Sequence, residues 1–391
     1  MRNAGAGSRV APGRSIGANA GPVRTRGKEN YVKHVSRKVV ALVMAAALTV
    51  VAVTFATAGS ARTGKKLANV QVCVLLPDTK SSVRWVQFDA PDFKKALTAA
   101  GVTYSITNAL NDPQKQKSQA QQCLAAGAKV VVETALDNGS ASAIEKLFTN
   151  AGGKAIDYDR QVIGGTASVY VTFDGKAVGA AQANGIISAM KAKGIYGKKP
   201  VVAELWGGPT DQNAFWFKSG NDAVLNPLFA KGTLTKGPQK FVPDWLATNA
   251  APIFAQMLVQ KNNKIDAAIA ANDNIAGAVV ATLKAKHLSP IPLSGQDATP
   301  QGVQYILAGW QSGTVYKYVP DEAKAAAAAA VALLHGKKPK SNTFRLNGKK
   351  KEPTQTIPVV WITKANYTRL FTDGFLKKSQ VCIGAYKQYC K

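Results

Sequence analysis

A chain of 391 residues with 46% apolar side chains has enough material for two ordinary domains and is too apolar to be disordered throughout. Its 50 Lys and Arg outweigh 22 Asp and Glu, a net charge of +28 that invites a nucleic-acid reading. The excess is diffuse, however: Lys198-Lys199, Lys337-Lys338 and Lys349-Lys350-Lys351 sit beside Gly or Pro in turns, and neither zinc-finger spacing nor a helix-turn-helix start goes with them.

Residues 1–38 are small and basic with little to bury, and read as a disordered basic N-terminus. Arg37 and Lys38 then introduce a charge-free run from Val39 to Ala58, with small-x-small steps at Ala56-Thr57-Ala58 and Gly59-Ser60-Ala61. Residues 39–61 are therefore expected to be a secretory signal peptide or, uncleaved, an anchor, with the remainder exported to the periplasm or the outer face of the cytoplasmic membrane. The front end is long for a signal, so translation is expected to begin near Val35.

From Leu67 onward β-rich runs alternate with helical spacing. VQVCVLLP, KVVVETA, KAIDYD, VYVTFD, VVAELWG, DAAIAAND and PLSGQD are predicted strands; FKKALTAAG, QKSQAQQCLAAG, AVGAAQANGIISAMKAKG, APIFAQMLVQKNN and IAGAVVATLKAK are predicted helices. This alternation predicts an α/β protein of two doubly wound, Rossmann-like lobes, with a crossing between them near Gly175. Cys382 and Cys390, eight apart, are close enough to staple the tail as a disulfide, whereas Cys73 and Cys123 read either as buried thiols or as a second bridge.

Ligands of such sheets bind beyond the carboxyl ends of the strands, and there the sequence places Asp159-Arg160, Asn272-Asp273-Asn274 and Gln296-Asp297. A lone polar strand end is an ordinary helix cap; several together suggest one shared pocket. No P-loop, dinucleotide fingerprint or nucleophile elbow is present, and three histidines, none in such a cluster, leave a His triad or metal site unsupported. A neutral polyol suits the set better. Sugar hydroxyls both donate and accept, so acceptor-only Asp, donor-only Arg and Lys and two-way Asn complement them, while Trp or Phe covers the C–H faces.

The stretches VRWVQFD, IDYDR, VTFDGKAVG, GGPTDQNA, PDWLATNA, NNKIDAAIAANDNIAGA, LSGQDA and TVYKYV, in that order between about Val70 and Pro339, resemble those of D-xylose-binding proteins of bacterial ABC sugar importers, within the ribose and galactose type of periplasmic binding protein. The resemblance implies a type I periplasmic binding fold with a multi-strand hinge near Asp174, Thr314 and Arg345. Residues 66–173 and 315–345 would form the first lobe, and 174–314 and 346–391 the second lobe and tail. It implies that Arg84, Asp159 and Arg160 line the pocket from the first lobe, Trp85 stacks on the sugar, Asn213, Trp245 and Asn272 come from the second lobe, Asp297 from near the hinge and Lys317 from the last crossing. The implied partners are one monosaccharide, D-xylose or a related aldose, and an ABC permease in the cytoplasmic membrane. The implied protein is a monomer with no cofactor, metal or nucleic acid.

Two rivals are weaker. Asp157 and Asp159, expected on one face of a strand, would be spaced roughly as in an inverting glycosidase, but Arg160 favours an ionised carboxylate over a general acid. Asp157 is left a supporting or capping role. A sugar-responsive transcription regulator needs a DNA-reading module where this chain carries an export signal. A sugar-sensing receptor stays compatible with transport.

Overall fold

The structure, a computed structural model, describes residues 69–390. The basic stretch 1–38 and the whole segment 39–61 read as an export signal or anchor lie outside the described residues. Among the described residues no helix is long and apolar enough to cross a membrane.

The chain runs β1 (Val72–Leu76), α1 (Ala90–Ala99), β2 (Tyr104–Asn108), α2 (Pro113–Ala125), β3 (Val130–Glu133), α3 (Asn138–Asn150), β4 (Lys154–Tyr158) and β5 (Tyr170–Phe173). It continues through α4 (Gly175–Ala192), β6 (Val201–Trp206), α5 (Gln212–Ala230), β7 (Thr235–Phe241), α6 (Ala247–Gln260), β8 (Ala267–Ala270), α7 (Asp273–Ala285) and α8 (Pro300–Leu307). It closes with β9 (Thr314–Lys317), α9 (Val319–Leu334), the hairpin β10 (Thr343–Asn347) and β11 (Lys350–Ile357), and β12 (Val359–Ile362).

The first lobe is a seven-stranded sheet in the order β10-β11-β5-β4-β3-β1-β2, parallel except for the edge strand β10. Alternation along β1 explains its burial on both faces. Val72, Val74 and Leu76 meet the core under α1 and α9, while Cys73 and Leu75 meet the core under α2 and α3. Cys73 is bonded to Cys123 of α2, which ties sheet to helix. Cys382 is likewise bonded to Cys390 in the tail.

The second lobe has β7-β6-β8 as a parallel trio. The run PLSGQD does not form the strand its sequence suggests. It makes single bridges, Leu293 to Ala268 and Gln296 to Val315, and so joins β8 to the antiparallel pair β9-β12. Helices α4 and α5 cross in near contact because Gly179 lets them: a Cβ there would lie 1.9 Å from the Phe217 carbonyl oxygen.

The chain passes between lobes three times, at Asp174 between β5 and α4, at Tyr318 between β9 and α9, and at Pro358 between β11 and β12. Three boundaries expected from sequence therefore move. Residues 315–317, assigned to the first lobe, pair with β12 in the second. Arg345 is no crossing but the middle of β10, and Lys350–Ile357, assigned to the second lobe, pairs with β5 in the first. The physical reason is that β11 supplies the neighbour that the open edge of β5 requires. The tail packs beside the crossings, with Phe375 stacked on Phe88 at 4.2 Å between ring centroids.

Candidate functional site

The carboxyl ends of β1, β4, β6, β8 and β9 all lead to one cavity between the lobes. Its walls contain each of the nine residues singled out from sequence: Arg84, Trp85, Asp159, Arg160, Asn213, Trp245, Asn272, Asp297 and Lys317. Ser81, Ser82, Asp211, Phe217 and Gln296 join them. Of the four polar additions, Gln296 stands beside Asp297 in a strand end already named from sequence, while the other three had a local disguise: the serines lie in a featureless loop and Asp211 caps α5.

Arg84 is the fixed centre of the first-lobe wall. It immediately precedes a π-helical turn, Trp85–Asp89, that runs into α1, and it is 1% exposed. Its Nε and Nη2 donate to the two oxygens of Asp89 at 2.9 and 2.7 Å, Nη1 to Asp159 at 2.7 Å, and Nη2 also to Glu322 at 2.6 Å. Tyr158 adds a hydroxyl donor to Asp89 at 2.7 Å. Three carboxylates around one guanidinium exceed its charge. Burial, only partly offset by Arg84, accordingly pushes Glu322 up to about 8, with Asp159 and Asp89 adding to the rise. Asp159 goes the other way. Burial alone would raise it, but Arg84, then Lys317 and Arg160, outweigh burial and hold it at about 2.

Asp159 follows β4 with φ of 61°, a left-handed conformation that side chains disfavour. Its carbonyl is held by three donors, Tyr170 at 2.7 Å, Asn213 at 2.8 Å and Thr172 at 3.0 Å. This turn breaks the strand alternation, so Asp157 and Asp159 do not share a face as the sequence suggested. Asp157 accepts the Val162 N–H at 2.7 Å on the α3 side, while Asp159 meets Arg84 and Lys317. Trp245 (φ 59°) and Asp297 (φ 92°) are left-handed too, and backbone strain of this kind collects where a side chain must be aimed.

The second-lobe wall is built on helix starts. Asn272 caps α7 by accepting from Ile275, and donates to the Ser81 carbonyl across the cleft at 2.9 Å. Asp211 caps α5, accepts from the Trp245 indole at 3.1 Å and pairs with Arg160 of the other lobe at 3.0 Å. Burial raises the Asp211 carboxyl, with Arg160 the largest opposing influence. Ser82 donates to Asp297 at 2.7 Å, and Lys317 stands 3.3 Å from both Asp159 and Asp297. Trp245 lies so close over Gly207 that a Cβ there would come 2.0 Å from the indole. Trp85, expected to stack on a sugar, has guanidinium carbons of Arg84 and Arg160 at 4.5 and 5.4 Å from its ring centroid. It therefore props both guanidinium groups.

Arg160 Nε and Asp297 Oδ1 meet only an oppositely charged neighbour, Asp211 at 3.0 Å and Lys317 at 3.3 Å, and the buried Gln296 Oε1 has no hydrogen-bond partner. Buried polar atoms are rarely left so, which marks the cavity as one prepared for polar contacts. Among the described residues no cluster of His, Cys, Asp and Glu fits a metal ion.

Residues 72–338 match the model of a periplasmic binding protein domain. This chain belongs to the periplasmic binding proteins. It is 32% identical over 300 residues to the D-xylose-binding periplasmic protein of Escherichia coli, covering 76% of this chain and 88% of that one. It is 31% identical over 313 residues to a multiple sugar-binding periplasmic receptor of Rhizobium radiobacter, with the same coverage. Among solved structures, a carbohydrate transporter solute-binding protein of Chloroflexus aurantiacus in complex with D-glucose superposes with a TM-score of 0.73 at 29% identity, covering 80% of this chain and 98% of that one. An ABC transporter solute-binding protein of Clostridium phytofermentans with bound β-D-glucose gives 0.74 at 25% identity over 80% and 99% of the two chains. The fold is the two-lobed type I arrangement, and the family binds solutes rather than transforming them.

Proposed function

We propose that the chain is exported, captures one aldose between its lobes and delivers it to an ABC permease in the cytoplasmic membrane. The carrying observation is the cleft itself: Asp, Asn, Gln and Ser interleave with Arg and Lys, the buried Gln296 Oε1 lacks a partner, and Trp85, Phe217 and Trp245 supply aromatic surface. Hydroxyls at those positions would replace the direct pairs Lys317–Asp159 and Arg160–Asp211, which hold the charges when the wall residues meet one another. An ionised Asp159 beside Arg84 suits hydroxyl recognition and not proton donation.

D-Xylose is the preferred ligand, supported by the Escherichia coli relative. The glucose-bound neighbours support a six-carbon aldose as the second reading. The Rhizobium relative, named a receptor, adds a sensing role compatible with either. Titration calorimetry of the compact unit Gly64–Lys391 with xylose, glucose, galactose, arabinose, ribose and inositol tests this. Xylose is expected to bind in the micromolar range or tighter. A preference for glucose shifts the reading to the hexose, and heat from none of the six sugars overturns it.

A further inference from the structure

A second face of the molecule, far from the cleft, combines apolar and basic groups in an unusual way. The hairpin β10-β11 forms the edge of the first sheet, with Phe344 opposite Pro353 and Leu346 opposite Lys351. Directly opposed residues of an antiparallel pair share a face, and so do residues two apart, so Phe344, Leu346, Lys351 and Pro353 lie on one side of the hairpin. That side faces solvent: Phe344 is 58% and Leu346 62% exposed. The opposite side carries Glu352 and Asn347, both buried and hydrogen-bonded to each other at 3.0 Å. The hairpin thus shows Phe344 and Leu346 to water and buries Glu352 and Asn347.

Around those apolar residues the charge has one sign. From Leu334 to Val360 the chain holds six Lys and one Arg against a single Glu, the buried Glu352. Lys154, at the start of β4, extends the patch. Lys154, Lys337 and Lys338 border a groove of about 510 Å³ whose apolar lining includes Leu333, Phe344 and Pro353. None of these three lysines takes part in an ion pair among the described residues. The groove lies at the amino end of β4, whereas Asp159 follows its carboxyl end, roughly 17 Å away along the strand. A partner on this face leaves the cleft unobstructed.

We infer that the outer face of the β10-β11 hairpin docks on the surface of an anionic phospholipid bilayer. Such a surface offers phosphates to the lysines and an acyl boundary to Phe344 and Leu346 side by side, which a purely ionic polymer does not. A receptor so held diffuses along the membrane instead of away from it, with its cleft turned outward.

Co-sedimentation of Gly64–Lys391, which contains all three described sheets but not the apolar run at Val39 to Ala58, with phosphatidylglycerol and phosphatidylcholine vesicles tests this. Binding is expected to phosphatidylglycerol alone and to weaken strongly at about 0.5 M salt. The triple variant Lys349→Ala, Lys350→Ala, Lys351→Ala is expected to lower the partition coefficient about a hundredfold, at roughly tenfold or less per lysine. Phe344→Ser with Leu346→Ser is expected to abolish the salt-resistant remainder. All variants should keep the wild-type melting temperature, which separates a lost surface from a lost fold. No binding, equal binding to both lipids, or binding that the triple variant leaves intact overturns the inference. Capture by soluble polyphosphate without vesicle binding also overturns it, and assigns the face to polyanions in general.

Discussion

Asp157, in β4, and Asp159, in the turn just after it, are two residues apart and both buried, yet their chemistry diverges. Asp159 is surrounded by Arg84, Lys317 and Arg160 and is held at about 2. Asp157 is pushed well above the usual carboxylate range by burial and then by Glu145 and Glu352. Glu133, on the neighbouring strand, is also driven up by burial and by Glu145, and burial lifts Glu352 to about 7. One region is a cleft where acids and bases balance; the other is a nest of acids with no cation, roofed by the β10-β11 hairpin. Burial raises every one of these carboxyls, and only Asp159, with three cations around it, overcomes that rise; a single guanidinium does not suffice for Glu322 or Asp211.

The largest test of that contrast is removal of the charge at Asp159. Asp159→Asn is expected to abolish monosaccharide binding by calorimetry and to cost roughly 3 kcal/mol in denaturant unfolding, because buried Arg84 and Lys317 lose a shared counter-ion. A stable variant that still binds sugar would sink the charge-balance account of the cleft.

A change of pH separates the two regions next. A carboxyl whose folded pKa is raised keeps its proton in the native state while the unfolded chain has already released it. Its contribution is complete below the unfolded value of 4.5 and is lost as pH rises through about 7 for Glu352 and about 8 for Glu322. The Asp159 contribution has the opposite sign, being lost only as pH falls toward about 2. Thermal melts should therefore show the protein more stable at about pH 5.5 than at about pH 8, by roughly 2 kcal/mol. A higher melting temperature at the alkaline end would contradict this.

The smallest effect is expected at Asp157→Asn. The amide retains an acceptor for the Val162 N–H and replaces a group whose ionisation burial and Glu145 oppose, so stability near pH 7 should stay within about 1 kcal/mol of the parent. Sugar affinity should not move. Its signature is a shallower fall in melting temperature on the alkaline side, read from the same pH series.

Much of this was legible in the residues, and what was not has a physical reason. β1, β3, β5 and β6 announce themselves by continuous β-branched and aromatic runs, as strands buried on both faces do. β7, Thr235–Phe241, with Gly, Pro and two Lys on an edge, does not, and neither does the lysine-rich β11. The wall residues were legible as polar strand ends and through a family resemblance. The left-handed turn at Asp159 was not, because it depends on donors from Tyr170, Thr172 and Asn213 that only tertiary structure supplies. The acid nest was invisible for the same reason. Glu145 comes from α3 and Glu352 from near the other end of the chain, so no local pattern joins them to Asp157.

The pairing of β11 with β5 has a consequence for how the protein is made. A chain emerging from its N-terminus completes β1 to β5 early, but the edge of β5 waits for Thr354–Ile357, and one sheet face waits for the alanine-lined surface of α9. The second lobe waits as well, for β9 and β12. Neither half can close during most of synthesis, so long-range pairing places the folding step at the end of translation, and a product shortened before Thr343 should be degraded rather than accumulate as a working lobe.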